Sequence, residues 1–287
     1  MFFKTRSGPV GFKPGIKLSG NQSVSPYLDG VLSSACCDID ATQLASYPGT
    51  GQTWSNLLSS PADGTPSTAW DLWLGNSDGV EPSPPYDPVF TGTAGSQSAY
   101  FNNAQEGAIF KFKNQSQPTT LLNAHRKVSG GPWWFCMVHY LASWGVDNFL
   151  GGVNTTGIRG LTIYMNTSGQ LQVWDGSSQV SPAIPAFPRT QYNILIVSCN
   201  PTLSSNNIRV WSNSRTSVTG TWVPVGDAVA SSNFYLGAAQ GAGGNPSGYT
   251  NINYRTKSFA FGNELLDNTK AGLIIDNLNA RHGATYA

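Results

Sequence analysis

Glutamate is almost missing from this chain: Glu81, Glu106 and Glu264 are the whole set in 287 residues, and charged residues of all kinds make up 11%. Helical surfaces are normally built from Glu, Lys and Arg, and an average domain is about a quarter charged, so the shortage argues against a mainly helical protein. The net charge of +1 offers neither the basic surface that nucleic acid requires nor an acidic one, and no nucleic-acid partner is expected. Long apolar runs are lacking too. MFFKTRSGPVGFKPG meets charge, Gly and Pro from residue 4 onward, which is not the pattern of a signal peptide. The most apolar stretch, PWWFCMVHYLA (132–142), is well short of the roughly 20 residues of a membrane span.

Metal and phosphate chemistry lack their usual motifs. The sequence has no C-x-x-C, no H-E-x-x-H and no acidic calcium loop, so neither a metal nor a cofactor is expected. Cys36 and Cys37 are adjacent, and with Cys136 and Cys199 they read as reduced, buried thiols of a protein that folds in a cytosol. The Gly-rich stretch GAAQGAGGNPSG (237–248) lacks the Lys-Ser/Thr of a phosphate loop and reads as a surface loop. His139 sits inside an apolar strand pattern and is expected to be a hydrogen-bonded core residue. In a strand it points to the face opposite Cys136, which rules out a Cys–His dyad.

What is abundant is Gly (32), Pro (18) and aromatic residues (11%), a composition suited to short strands joined by turns. LTIYMNTSGQLQVWDG (161–176) predicts a hairpin, with Leu161, Ile163, Met165, Leu171 and Val173 on the core face and Tyr164 and Trp174 on the other. YNILIVSC (192–199) is apolar on both faces and predicts a central strand, while NIRVWSN (207–213) alternates Ile208 and Val210 against Arg209 and Trp211. Together these predict an all-β, antiparallel two-sheet sandwich. One helix stands out at the end, NTKAGLIIDNLNARHG (268–283), with Ala271, Ile274, Ile275 and Leu278 on one face, Asp267 or Asn268 as cap and Gly283 as stop.

Residues 1–32 contain Lys4, Arg6, Lys13 and Lys17, with Pro9, Gly11, Pro14 and Gly15 against regular structure. They read as an extended N-terminal arm in which Phe2, Phe3, Lys4, Arg6, Phe12 and Lys13 would dock on a partner. Residues 33–287 form the remaining domain. Near its start the turn SYPGTGQTWSNL is expected to drop Trp54 into the sandwich.

SYPGTGQTWSNL, DLWLGNSDGVEPSPPYDPVFTGTAGSQSAYFNN (71–103), the hairpin at 161–176 and the closing LLDNTKAGLIIDNLNARHG resemble the concanavalin A-like lectin/glucanase (laminin-G-like) jelly rolls of tailed-phage virion proteins. The family's terminal helix usually opens Leu-Ser-Asp-x-Glu, and here the capping-box Glu is replaced by Lys270. The resemblance implies a jelly-roll sandwich and a place in a virion, folded in the host cytoplasm. It could serve as head decoration, collar fibre or tail appendage. Its partners would be capsid, portal/collar or tail subunits and further copies of itself as a homo-oligomer.

Glucanases of that fold set two Glu on one strand as E-x-D-x-E or E-x-D-x-x-E, a pattern absent here. Asp38 and Asp40 would share a strand face, either acting on a sugar or solvating a strand edge. The expectation is therefore a non-enzymatic virion structural protein, with a carbohydrate-binding adhesin as the alternative and a polysaccharide depolymerase third. Any cell-surface glycan would meet Tyr164, Trp174, Arg209 and Trp211, provided the two strand segments that carry them are neighbours.

Overall fold

The computed structural model describes residues 26–76, 87–102, 108–113, 119–142, 147–152, 160–224, 233–240, 246–247 and 254–287. The docking-arm residues Phe2, Phe3, Lys4, Arg6, Phe12 and Lys13, together with Glu81 and Glu106, lie outside these. Residues 26–32, expected within the arm, pack on the body instead, where Leu28 and Leu32 are buried.

In chain order the elements are β1 (Ala35–Asp40), β2 (Thr53–Trp54), β3 (Leu72–Leu74), β4 (Val89–Thr91), β5 (Tyr100–Asn102), β6 (Phe110–Phe112) and α1 (Thr119–Asn123). Next come β7 (Trp133–Tyr140), β8 (Asp147–Gly151), β9 (Thr162–Met165), β10 (Leu171–Trp174), β11 (Gln179–Val180), β12 (Tyr192–Cys199), β13 (Ile208–Ser212) and β14 (Val218–Gly220). The last are β15 (Tyr235–Leu236), β16 (Ala239–Gln240), β17 (Pro246–Ser247), β18 (Arg255–Gly262) and α2 (Asn268–His282). The first eight-stranded sheet runs β14-β13-β12-β7-β18-β5-β4, with β1 also paired to β18; the second runs β11-β10-β9-β8-β15-β6-β3-β2. All pairings between these strands are antiparallel, as expected of a two-sheet sandwich.

Period-two patterning fills the space between the sheets. Trp133, Phe135 and Met137 of β7, Ile208 and Val210 of β13, and Ile163, Met165, Leu171 and Val173 of the hairpin all face one another there. β12 is the central strand its composition implies, buried because the first sheet is covered on both sides. Its outer side, with Trp134, Cys136, Val138, Ile194, Ile196 and Trp211, is capped by Ala271, Ile274, Ile275 and Leu278 of α2. α2 starts on Asp267, whose side chain accepts from the Lys270 amide at 2.9 Å, and stops at Gly283 with φ of 58°. All four cysteines are buried and unbonded to one another.

A buried polar cluster fixes α2 in place. Arg281 donates two hydrogen bonds to Asp38, each of 2.9 Å, and lies 3.4 Å from Asp40. Asp40 also accepts from His282 at 3.0 Å and from the Thr42 amide and hydroxyl at 2.8 and 2.7 Å. With His282 Nε2 donating to Asp40, its Nδ1 is left to accept from the Tyr286 hydroxyl at 2.7 Å. The carboxylates thus solvate no strand edge; every residue of β1 is buried. Removing one partner of such a pair leaves a lone buried charge and typically costs about 3–5 kcal/mol.

The turn at 47–54 places Trp54 as expected. Gly49 and Gly51 adopt φ of 95° and 99°, conformations that side chains resist, and the Tyr47 hydroxyl ties the turn by donating to the Gly51 carbonyl at 3.0 Å. Trp54 is completely buried, its ring 4.7 Å from that of Phe101 and 4.9 Å from that of Phe110. Trp54→Ala should lower unfolding free energy by about 3–5 kcal/mol in a denaturant titration. A loss below about 1 kcal/mol would mean that the ring is not a core element.

Acid should weaken the body through its buried histidines. His139 lies between Phe149, Phe187 and Tyr254, with ring centroids 4.7, 4.9 and 6.0 Å away. Contrary to expectation, neither of its ring nitrogens meets a hydrogen-bond partner of good geometry. Burial lowers its pKa from 6.5 to about 3. Burial also lowers that of His282, against the opposing pull of Asp40. For Asp40 burial alone would raise the pKa, but His282 and Arg281 outweigh it and hold the carboxyl well below the usual range. In each case the unfolded chain takes up the proton first, so the histidines' share of stability falls as pH drops below about 6.5 and that of Asp40 only below about 4. Thermal melts from pH 8 to pH 4 should show this fall, and His139→Leu should flatten it; an unchanged slope in that variant would refute the assignment.

Candidate functional site

The sequence proposed one surface made of Tyr164, Trp174, Arg209 and Trp211, and the structure divides it. Tyr164 and Trp174 lie on β9 and β10 of the second sheet, whereas Arg209 and Trp211 lie on β13 of the first. The hairpin and the 207–213 strand are therefore not neighbours. Trp211 is fully buried under α2, donating from Nε1 to Asn268 Oδ1 at 2.9 Å. Arg209 donates to the Leu266 carbonyl at 2.6 Å. Both hold the segment that leads into the helix, and this is what removes them from a ligand surface.

Tyr164 and Trp174 remain together. Tyr164 pairs with Gln172 across the hairpin, which puts Trp174, two residues further along β10, diagonally beside it on the outer face. Both rings are partly exposed, and among the described residues neither makes a hydrogen bond or an aromatic contact. Burial raises the Tyr164 pKa, so its hydroxyl is a neutral donor and acceptor at ordinary pH. Between the rings Gln172 Oε1 accepts from the Ser181 hydroxyl at 2.6 Å and from the Gln179 amide. Those bonds fix the orientation of the amide. Ser181 also lines an adjoining groove of about 460 Å³ floored by Ser168, Gly169, Gln170 and the 182–186 segment. Two ring faces beside oriented amides and hydroxyls can cover the apolar face of a sugar ring and satisfy its hydroxyls.

The same outer face continues across the sheet in one lateral row: Trp73, Lys111, Tyr235, Gly151, Thr162 and Trp174 stand in directly paired positions. Lys111 lies 5.9 Å from the Trp73 ring centroid and 6.0 Å from that of Tyr235. At Gly151 the row dips because Ala238 and Ala239 cross over it; a Cβ there would stand 2.0 Å from the Ala238 carbonyl oxygen. Only glycine fits beneath that crossing. Trp73, Lys111 and Tyr235 escaped the sequence reading because their strands are only two or three residues long, too short for alternation to register.

Among the described residues no group of three or more His, Cys, Asp or Glu is placed to hold a metal ion, and no helix is long and apolar enough to cross a membrane. Glu264, the one Glu described, bonds to the Ser34 hydroxyl and to Lys270.

No family model matches the sequence, and no curated protein matches it. Solved structures do share the fold. Trypanosoma rangeli sialidase in complex with 2,3-difluorosialic acid (covalent intermediate) superposes with a TM-score of 0.53 at 11% identity over 95% of this chain. A mutant of that sialidase displaying trans-sialidase activity gives 0.52 at 14% identity over 88%. The binding domain of botulinum neurotoxin DC in complex with rat synaptotagmin II gives 0.50 at 10% identity over 86%, matching 52% of that chain. The likeness covers 36% and 34% of the two sialidase chains, so this chain spans about a third of their length. These neighbours correct the expectation of a non-enzyme. The fold forms part of solved sialidase chains.

Proposed function

We propose that this chain is a carbohydrate-binding β-sandwich whose site is the outer face of the second sheet at Tyr164, Gln172 and Trp174. One observation carries the reading: two partly exposed rings with no partner among the described residues flank an amide already oriented by Gln179 and Ser181. Uncommitted aromatic surface on a sheet face is unusual where core packing gives it no role. Solved structures of this fold that carry sialic acid derivatives lend the reading support, within the limits of a likeness in fold.

The wider role follows the virion resemblance. The chain would serve on the surface of a tailed phage as a receptor-binding component, attached through an arm at residues 1–25 and presenting the sandwich outward. Its partners would be neighbouring virion subunits and a cell-surface glycan. What supports this is the set of motifs quoted from the sequence and the cationic, aromatic character of the arm.

On a glycan array, Trp174→Ala and Tyr164→Ala should each weaken binding roughly thirtyfold, the cost of truncating a ring at the centre of a contact. Retained binding by both folded variants would end the proposal for this face. Deleting residues 1–25 should abolish incorporation into particles while leaving glycan binding intact, and incorporation at the normal level would refute the docking role.

A further inference from the structure

The outer face of the first sheet holds a second cluster beside the apolar group under α2, against which its Tyr192 packs. Asn102 of β5, Arg255 of β18, Tyr140 of β7 and Tyr192 of β12 stand in one lateral row, each directly paired with the next. Tyr100, two residues before Asn102 on β5, shares their face. The Arg255 guanidinium lies 4.3 Å from the Tyr140 ring centroid and 4.9 Å from that of Tyr100, and the Lys257 ammonium lies 4.6 Å from that of Tyr192. The rings converge, Tyr192 being 5.7 Å from Tyr140 and 6.2 Å from Tyr100.

Two features of this cluster are not those of a stability device. Among the described residues neither Arg255 nor Lys257 forms an ion pair; Asp40, the acid nearest in effect to Lys257, is already engaged by Arg281, His282 and Thr42. Burial moreover lowers the Lys257 pKa, so the ammonium sits where an anion would favour it. Among the described residues two polar atoms, Arg255 Nε and Asn102 Oδ1, are also buried without a hydrogen bond, while the Tyr192 hydroxyl has the Arg255 guanidinium beside it. Each such group carries a cost unless something satisfies it.

The chemistry of the missing partner follows from the inventory. Arg255 offers a planar fork of donors, the geometry that matches a carboxylate, and Lys257 adds a second positive charge. Asn102 Oδ1 is an acceptor and requires a donor, which a bare carboxylate lacks. Three phenol rings supply flat apolar surface. A carboxylate, hydroxyl donors and a ring face belong together in one class of ligand, an acidic sugar. We propose that Asn102, Tyr140, Tyr192, Arg255 and Lys257 form a second saccharide site, selective for carboxylate-bearing sugars. It extends the carbohydrate-binding reading but stands on the opposite sheet from Trp174, so each site can fail alone.

The test compares binding of oligogalacturonate, a neutral galactan of equal length and a polyglutamate peptide by titration calorimetry. Oligogalacturonate should bind, more weakly as salt rises, and Arg255→Gln should reduce its affinity at least tenfold while leaving neutral-glycan binding at the Trp174 face unchanged. Trp174→Ala should leave oligogalacturonate binding intact. If Arg255→Gln does not fold, Lys257→Gln and Asn102→Ala should each lower oligogalacturonate affinity several-fold in proteins that melt as wild type does. Absence of oligogalacturonate binding at millimolar concentration, affinity unaltered in the folded variants, or polyglutamate binding as tightly as oligogalacturonate would overturn the proposal.

Discussion

The attachment of the C-terminal helix to β1 is the contact on which the rest of the first sheet depends. Asp38 and Asp40 stand two residues apart on one face of a fully buried strand, and consecutive residues Arg281 and His282 descend on them from the last turn of α2. Two carboxylates beneath an apolar helix would be intolerable without those partners. With them, the helix has one register, and its apolar stripe falls on Trp134, Cys136, Ile194, Ile196 and Trp211. The cluster also explains why β1 can be apolar and acidic at once: its alternate residues, Cys37 and Ile39, join the core on the other side.

From that attachment follows the difference between the two sheets. The first is sandwiched between core and helix at Trp134, Cys136, Val138, Ile194, Ile196 and Trp211, and among the described residues α2 leaves Tyr100 and Tyr140 uncovered. Among the described residues no helix lies over the second, which is crossed instead by the short segment at Ala238 and Ala239 that settles on Gly151. β18 has to change neighbours along this scheme, pairing with β5 through Arg255 and Thr256 and with β1 from Ser258 to Gly262. The irregularity at Lys257 falls where one partner gives way to the other. Arg255 and Lys257 are thus placed on the same face by a local break in the ladder.

Much of this was legible in the residues. The hairpin at 161–176, the central strand at 192–199, the helix with Asp267 and Gly283 at its ends, and the burial of Trp54 all rest on local patterns, and the structure has them. The site was half legible for one reason. Alternation along 207–213 correctly puts Arg209 and Trp211 on the face away from the core, but it is silent about which strand lies alongside and what covers that face. α2 covers it. The row Asn102–Arg255–Tyr140–Tyr192 draws on four strands far apart in sequence, and no local period could have assembled it.

The polypeptide enters the body beside α2, where the Asn277 side chain holds the Pro26 carbonyl at 3.1 Å and Leu28 donates its amide to Asp38 at 3.0 Å. The Tyr164–Trp174 face lies across the thickness of the sandwich from that point. Tension applied through the segment ahead of residue 26 would thus be borne first by the helix and β1, which Asp38, Asp40, Arg281 and His282 tie together. The β9–β10 hairpin on the far side would feel little of it, so the domain has a mechanical front and back: a load-bearing side, and a side whose geometry a pull does not disturb.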